Sequence, residues 1–284
     1  MNVYLVPNLK KVQAVQAAGQ AARILQANNV RVLLDEQLAA ACAIAGAEYL
    51  PCGLCRRQAD VIVTIGGDGT ILHEAGHPGP DRRPILGVNL GRCGFLATCE
   101  VEQMEEKLSL LAQGRYQLDT RILLDASVAG EPPFRAHALN DIVVARGRLQ
   151  QAIEFSISCD GIPVEHYRGD GVIVATPTGS TAYSLSAGGP ILDAQTKAIV
   201  VTPICPHSMQ SPAVVFAPER HITIRVGELQ ERDEVFFSYD GTEGCPLHTG
   251  SVVEICLSDK TVQLVTFGAA DQFQAIDQKL KNRT

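Results

Sequence analysis

No Gly-Lys pair occurs anywhere in the 284 residues, so the chain has no Walker A loop, and no Gly-x-Gly-x-x-Gly is present either. The two commonest nucleotide-binding fingerprints are thereby excluded. Runs of Lys and Arg are also missing, and the formal net charge is −7, which argues against a DNA or RNA phosphate backbone as partner. An acidic chain that handles anions must gather its donors locally, through backbone N–H groups and bound cations. No signal peptide opens the sequence, since Met1–Pro7 runs straight into strand-like residues. The longest apolar stretch, around Leu38–Ala47, is too short to span a bilayer, so no membrane partner is expected. There is no internal repeat and no low-complexity linker. The nine cysteines are scattered and odd in number, in a chain too large for a disulfide mini-scaffold. These points fit a reducing cytoplasm.

What is present is an ordinary globular composition, 46% hydrophobic and 19% charged, at a length that suggests two domains. Val3–Val6, Val30–Leu34, Val61–Ile65 and Pro84–Val88 read as strands. Asn8 is placed to cap a helix on which Val12, Val15, Ala18, Ala22 and Leu25 recur at helical spacing. Strands alternating with helices predict a parallel α/β sheet over residues 1–114. From about residue 115 the period changes to two: Ile153, Phe155, Ile157 and Cys159 alternate with polar residues, as do Ile222, Ile224 and Val226. This predicts an all-β domain over 115–266. Phe273, Ile276 and Leu280 fit one stripe of a helical tail, 267–284, which is expected to return to the first domain.

Two motifs carry chemistry. Gly66-Gly67-Asp68-Gly69-Thr70 directly follows a buried strand. Its glycines permit positive φ and close approach of a ligand to the backbone. The loop lies at the carboxyl end of a strand, where open α/β sheets place ligands, and its N–H groups can cradle phosphate. Asp68 is out of place in a pure phosphate cradle, but it makes sense as a base for a hydroxyl proton or as a holder of Mg²⁺; the bland alternative is a glycine turn with a solvated Asp. Thr176-Pro177-Thr178-Gly179-Ser180-Thr181-Ala182-Tyr183 puts four hydroxyls before the tyrosine in a strand-to-helix turn. Hydroxyls there can bond ribose and phosphate oxygens, whereas a helix cap would use only one. Gly169-Asp170-Gly171, the Asn89–Leu96 stretch, Asn140-Asp141 and Ser238-Tyr239-Asp240-Gly241 are each weak alone and read first as turns.

Taken together and in this order, these segments resemble the NAD kinase family, from about Val61 to Gly241, with Thr202–His207 also similar. The glycine loop alone is shared with lipid kinases and phosphofructokinases; the threonine-rich segment is the more specific part. The resemblance implies a Rossmann-like first domain, a β-rich second domain and a homodimer or homotetramer. It implies a kinase that moves the γ-phosphate of ATP to the 2′-hydroxyl of the adenosine ribose of NAD, giving NADP, with Mg²⁺ or Mn²⁺ held through the nucleotide phosphates rather than by a dedicated side-chain site. Asp68 would take the hydroxyl proton, and Gly66, Gly67, Gly69 and Thr70 would bind phosphate. Gly69, His73 and Phe95 would line the NAD site and Asn140 and Asp141 would hold ribose and adenine. Arg168 and Asp170 would lie near the dinucleotide, with Thr178, Thr181, Ala182, Tyr183 and Ser186 wrapping it; Asn89, Asp240 and Thr242 are further candidates. The chain departs from the family at Asp141, usually Glu, and at Thr242, often Gln.

The alternatives are a lipid or sugar kinase with the same loop and a non-catalytic NADP-binding protein. His73-Glu74-Ala75-Gly76-His77 matches the zinc-peptidase pattern, but Gly76 weakens the helix that this chemistry needs and Pro78 soon ends it, so no zinc is expected. Cys52 and Cys55 sit in a stretch read as loop and are expected to be ordinary thiols.

Overall fold

The computed structural model describes residues 1–77, 82–91, 94–130, 133–147, 152–208, 211–231 and 233–268. The chain divides into two compact units, one of residues 1–120 with the chain from Val262 onward, the other Arg121–Thr261.

The first unit contains strands β1 (Asn2–Pro7), β2 (Arg31–Asp35), β3 (Glu48–Leu50), β4 (Val61–Gly66), β5 (Ile85–Asn89) and β6 (Cys99–Glu100). Its helices are α1 (Gln13–Ala27), α2 (Cys52–Gln58), α3 (Asp68–Ala75) and α4 (Met104–Ala112). The strand order β3-β2-β1-β4-β5 is parallel throughout, with β6 parallel to β5. Every residue of β4 is buried, which is why it reads as a continuous apolar run and not as an alternation. Val3, Leu5, Val63 and Ile65 pack with the alanines of α1 and with Met104, Leu108 and Leu111 of α4.

The buried face of α1 is rotated from the expected one and takes in seven residues. Ala14, Ala17, Ala18, Ala21, Ala22, Ile24 and Leu25 face inward, whereas Val12 is 96% exposed and Val15 lies outside the stripe. Small alanines let the helix lie close on the sheet, so they, not the larger valines, mark its inner face. Asn8 is not the cap: the helix starts at Gln13 without a side-chain cap, and Asn8 Oδ1 instead accepts the Lys10 N–H in a local turn. Cys52 and Cys55 are helical, not in a loop, because Pro51 and Cys52 open α2. Pro at the entry fixes φ without loss of a needed N–H.

The second unit contains β7 (Gln117–Val128, entering from the first), β8 (Phe134–Ala138), β9 (Asp141–Arg146), β10 (Ile153–Cys159), β11 (Ile162–Gly169), β12 (Gly171–Ala175), β13 (Ile199–Ile204), β14 (Val214–Phe216), β15 (Ile222–Val226), β16 (Val235–Tyr239), β17 (Thr242–Leu247) and β18 (Val252–Thr266). Its one α-helix among the described residues is the single turn α5 (Tyr183–Ser186). One sheet runs β14-β13-β12-β9-β16-β17 and is antiparallel; β11, β10, β15 and the first part of β18 pair antiparallel in another. Phe155, Ile157 and Ile224 from the second sheet meet Val172, Val174 and Phe237 from the first in one core. The alternation in β10 and β15 is therefore the mark of strands with one face in that core. The end of β18 leaves this unit: Leu264 pairs parallel with Ile85 of β5. The helical tail expected around Phe273–Leu280 lies outside the described residues.

Candidate functional site

The first group of residues forms where β4 ends. Asp68 is the first residue of α3, directly after Gly67, so the strand-to-helix turn occupies the carboxyl edge of the parallel sheet. None of the three glycines lies in the left-handed region, Gly67 being fully extended at φ 168°, and it is Gly66 that is needed for space. A Cβ on Gly66 would lie 2.4 Å from Thr70 Oγ1 and 3.0 Å from Asn8 Cβ. Asn8 stitches the first βα turn onto the loop: its N–H donates to Ile65 O at 2.9 Å and its side-chain amide to Thr70 Oγ1 at 3.4 Å. Lys11 Nζ donates to Gly66 O at 2.5 Å. Asn8, read from sequence only as a helix cap, and Lys11 were not site candidates, because their partners lie more than fifty residues away.

The Asp68 carboxylate is held by backbone N–H groups, from Phe95 to Oδ2 at 2.8 Å and from Leu96 and Ala97 to Oδ1 at 3.2 and 3.4 Å. A Cβ on Gly94 would meet Asp68 Oδ1 at 1.9 Å, so this docking requires glycine there. The glycine loop with Asp68 and the Phe95 turn, which was weak alone, are thus one structure. An ionised carboxylate has about four acceptor sites, so three N–H donors leave capacity for a further proton. Asn89 is buried, with its amide on both Glu100 oxygens at 3.2 and 3.0 Å and on Gly91 O, and it shapes the turn rather than offering a free group.

His73 is exposed and His77 half-buried, with ring centroids 5.6 Å apart, and their ligand atoms and those of Glu74 fall within 4.8 Å. The helix ends at Ala75, yet the turn through Gly76 still brings the two imidazoles together, which the expectation of a broken helix missed. The Glu74 carboxylate is already committed to Arg56, through Nη2 at 2.9 Å and Nε at 3.2 Å. Burial, and then the Arg56 charge, hold the His77 imidazole below its usual pKa. A cavity of about 610 Å³ opens beside these residues, lined by Lys10, Cys52, Arg56, Gly69 and His73 among others. Cys52 accepts from Arg56, and Cys55 donates to the Leu34 and Leu50 carbonyls, with its thiol pushed up to about 11 by burial. Both act as structural thiols here.

The second group forms in the β-rich unit. The Asp240 carboxylate accepts the N–H groups of Leu139 and Asn140 at 2.7 Å each and of Asp141 at 3.1 Å. Asn140 O accepts the Thr176 N–H at 2.9 Å, and a Cβ on Gly179 would lie 2.0 Å from that same oxygen. Asp141 is buried and also accepts the Tyr183 N–H; burial first, then the Asp240 charge, push its carboxyl up to about 7. Asn140-Asp141, Thr176–Tyr183 and Asp240 are therefore one cluster. Asp240 adopts φ 46° ahead of Gly241, a left-handed turn that Asp tolerates.

The hydroxyls of the threonine-rich segment face inward. Thr176 Oγ1 donates to Leu139 O at 2.5 Å, Ser180 Oγ to Pro177 O at 2.6 Å and Thr181 Oγ1 to Thr178 O at 3.2 Å, while Thr178 accepts from Arg121 Nη1 at 3.2 Å. The segment is a self-bonded turn, and most of its hydroxyls serve its own backbone, which accounts for more of them than a helix cap would. Tyr183 and Ser186 are exposed and Ala182 half-buried, so the later residues present the open surface. Arg168 is exposed and reaches Ala152 O, and Asp170 pairs with Arg146 at 2.9 Å. Arg146 and Arg121 were not singled out in the sequence; an arginine at an otherwise inward position of a strand, as at Arg121, is the signal that was available. Thr242 is exposed at the start of β17.

Residues 3–116 match the family model described as the ATP-NAD kinase N-terminal domain, and residues 139–267 match the ATP-NAD kinase C-terminal domain. The chain belongs to the NAD kinase family. It is a phosphotransferase with an alcohol group as acceptor, phosphorylating NAD to NADP with ATP as donor. An NAD kinase of Natranaerobius thermophilus is 33% identical over 98% of this chain and 97% of its own length, and one of Symbiobacterium thermophilum is 36% identical over 97% of each. Among solved structures, yeast NADH kinase complexed with NADH superposes with a TM-score of 0.88 at 27% identity, covering 99% of this chain and 87% of that one. An Archaeoglobus fulgidus NAD kinase in complex with ATP superposes with a TM-score of 0.75 at 26% identity, covering 99% of both chains. Among the described residues, no helix is long and apolar enough to cross a membrane.

Proposed function

We propose that the acceptor atom is the 2′-hydroxyl of the adenosine ribose of NAD and that Asp68 takes its proton. The 2′-oxygen forms a bond to the γ-phosphorus as the bond to the β-phosphate oxygen breaks, the proton passes to an Asp68 oxygen, and ADP and NADP leave. The observation that carries this reading is the position of Asp68, at the first turn of α3 on the carboxyl edge of the parallel sheet, in a glycine loop of this family. Phosphoryl transfer needs mainly positioning and charge stabilisation, and the first-turn N–H groups of α3 and the loop Gly66, Gly67, Gly69 and Thr70 supply donors for phosphate. His73 and Phe95 flank this loop. Asn140 and Asp141 hold ribose and adenine, Arg168 and Asp170 lie near the dinucleotide, and Thr178, Thr181, Ala182, Tyr183 and Ser186 contact it, with Asn89, Asp240 and Thr242 supporting.

A divalent cation, Mg²⁺ or Mn²⁺, fits this chemistry as a phosphate-bound ion. The loop offers a single carboxylate whose oxygens already accept three N–H groups, so most ligands of the ion come from the nucleotide. When bound, it neutralises charge on the transferred phosphate. The protein works in the cytoplasm as a homodimer or homotetramer; the free thiols of the described cysteines are consistent with a reducing compartment. Incubating purified protein with ATP, Mg²⁺ and NAD and assaying NADP tests the reading. Absence of NADP, with phosphate appearing on a lipid or sugar, overturns it; NADP binding without turnover would make the chain a non-catalytic binder.

A further inference from the structure

The glycine loop carries no lysine of its own, yet an ammonium lies against it. Lys11 sits in the turn between β1 and α1, where its N–H donates to Asn8 O and its carbonyl accepts from Ala14. From there the side chain reaches Gly66 O. Two further distances locate the ammonium. A Cβ built on Gly67 would lie 3.3 Å from Lys11 Nζ, and a Cβ built on Gly91 would lie 3.3 Å from it as well. The cation thus occupies the face of the loop that two glycines leave free of side chains.

We propose that Lys11 is the phosphate-binding lysine of this enzyme, supplying from the first βα turn the charge that a Walker A loop carries within itself. A lysine ammonium has three protons. One goes to Gly66 O, its one recorded acceptor among the described residues, and this bond fixes where the charge stands. The acid of the glycine loop, Asp68, is tied to the N–H groups of Phe95, Leu96 and Ala97, and no ion pair joins it to Lys11 among the described residues. The N–H groups of Thr70 and Ile71 turn back onto Gly67 O, and those of Asp68 and Gly69 open α3 beside the cation; a fixed cation next to such helix-start donors is a receptor for a polyanion. In a chain of net charge −7, such local concentration is what a triphosphate requires. The proposal rests on the glycine loop being the place of phosphoryl transfer.

The test uses Lys11→Gln, which keeps a donor for Gly66 O and removes the charge, with Lys11→Arg as the conservative variant. Binding of inorganic tripolyphosphate is measured by calorimetry, and the KM values for ATP and NAD are measured at two salt concentrations. The expected result for Lys11→Gln is at least a tenfold weaker tripolyphosphate affinity and a tenfold higher KM for ATP. The KM for NAD should stay within about threefold, the salt dependence of the ATP KM should flatten, and Lys11→Arg should recover most of the loss. An unchanged ATP KM and tripolyphosphate affinity in Lys11→Gln overturns the proposal. So does an equal rise in both KM values with a lowered melting temperature, which marks Lys11 as only a clamp on the loop. Asp68→Asn is assayed alongside. If it keeps parental turnover, the reading of Asp68 as the base falls while that of Lys11 stands on its own ATP and tripolyphosphate measurements; if it loses turnover while Lys11→Gln keeps its ATP KM, only the assignment of Lys11 falls.

Discussion

Asp141 donates its backbone N–H to the Asp240 carboxylate at 3.1 Å while its own carboxyl, buried beside the same group, has a pKa pushed up to about 7. Two acids share this corner, and the three N–H donors on Asp240 decide which one carries the charge. Burial also raises Asp240, but the donors favour its ionised form, so Asp141 is the first of the two to take up a proton as pH falls.

A pH dependence of stability follows from this pair. The unfolded chain releases the Asp141 proton near the ordinary carboxyl value of 3.8 and the folded chain near 7. Folding therefore takes up a proton between these limits, and stability falls as pH rises through that window. Asp141→Asn removes the fall, so the variant should gain on the parent in melting temperature between pH 5 and pH 8. Parallel Tm profiles for the two proteins would show that the pair does not titrate in this way.

Gly179 is fixed by backbone packing. Its missing Cβ would overlap Asn140 O and lie 2.4 and 2.7 Å from the Asn140 C and Cα atoms, which cannot swing aside as a side chain does. Gly179→Ala should cost about 1–3 kcal/mol, the usual range for overpacking, and should raise the KM for NAD by shifting Asn140. Urea denaturation and steady-state kinetics check both effects, and a variant with parental values in both would show that the turn relaxes freely.

The Arg56–Glu74 pair bears on the His-Glu-x-x-His pattern. The Glu74 side chain is 2% exposed and that of Arg56 12%. Glu74→Gln should destabilise by about 3 kcal/mol, because it leaves a mostly buried guanidinium without its counter-charge. The same guanidinium disfavours a metal cation at His73 and His77. Purified protein should carry no stoichiometric zinc by elemental analysis, and His77→Ala should keep kinase activity within about tenfold. His73→Ala should chiefly raise the KM for NAD. Zinc at one equivalent, lost in His77→Ala, would reverse this reading.

Much of this was legible in the sequence because local pattern and local geometry coincide. The unbroken apolar run Val61–Ile65 announced a buried parallel strand, and the alternation from Ile153 to Cys159 announced a strand with one core face. What stayed hidden depends on contacts distant in sequence. Nothing near Asp68 tells that its oxygens meet Phe95, Leu96 and Ala97, and nothing near Asn140 tells that Asp240 will bind its N–H a hundred residues on. The inner face of α1 was misplaced because valine outranks alanine in apolarity while a close-packed helix prefers alanine. The hydroxyls of Thr176, Ser180 and Thr181 seemed in excess of a cap because a self-bonded turn uses each of them, and only the fold reveals the partners.

Asp68→Asn separates chemistry from architecture. The carboxylate accepts three N–H groups, and an amide offers one oxygen and one NH₂, which cannot accept. The variant therefore keeps the Gly66–Thr70 turn but loosens the Gly94–Ala97 segment, with a moderate drop in melting temperature. Loss of a general base lowers turnover by about 10²–10⁴-fold. We expect a folded protein with kcat reduced at least about 10²-fold and an NAD affinity much less affected, since donors elsewhere are retained. The melting loss and the kcat loss have different cures. Lowering the assay temperature or adding a stabilising osmolyte should restore the fold without restoring turnover. Recovery of kcat along with the fold would make Asp68 a structural anchor of the Phe95 turn and leave the proton to another group, with Asp141 and Asp170 the first to substitute.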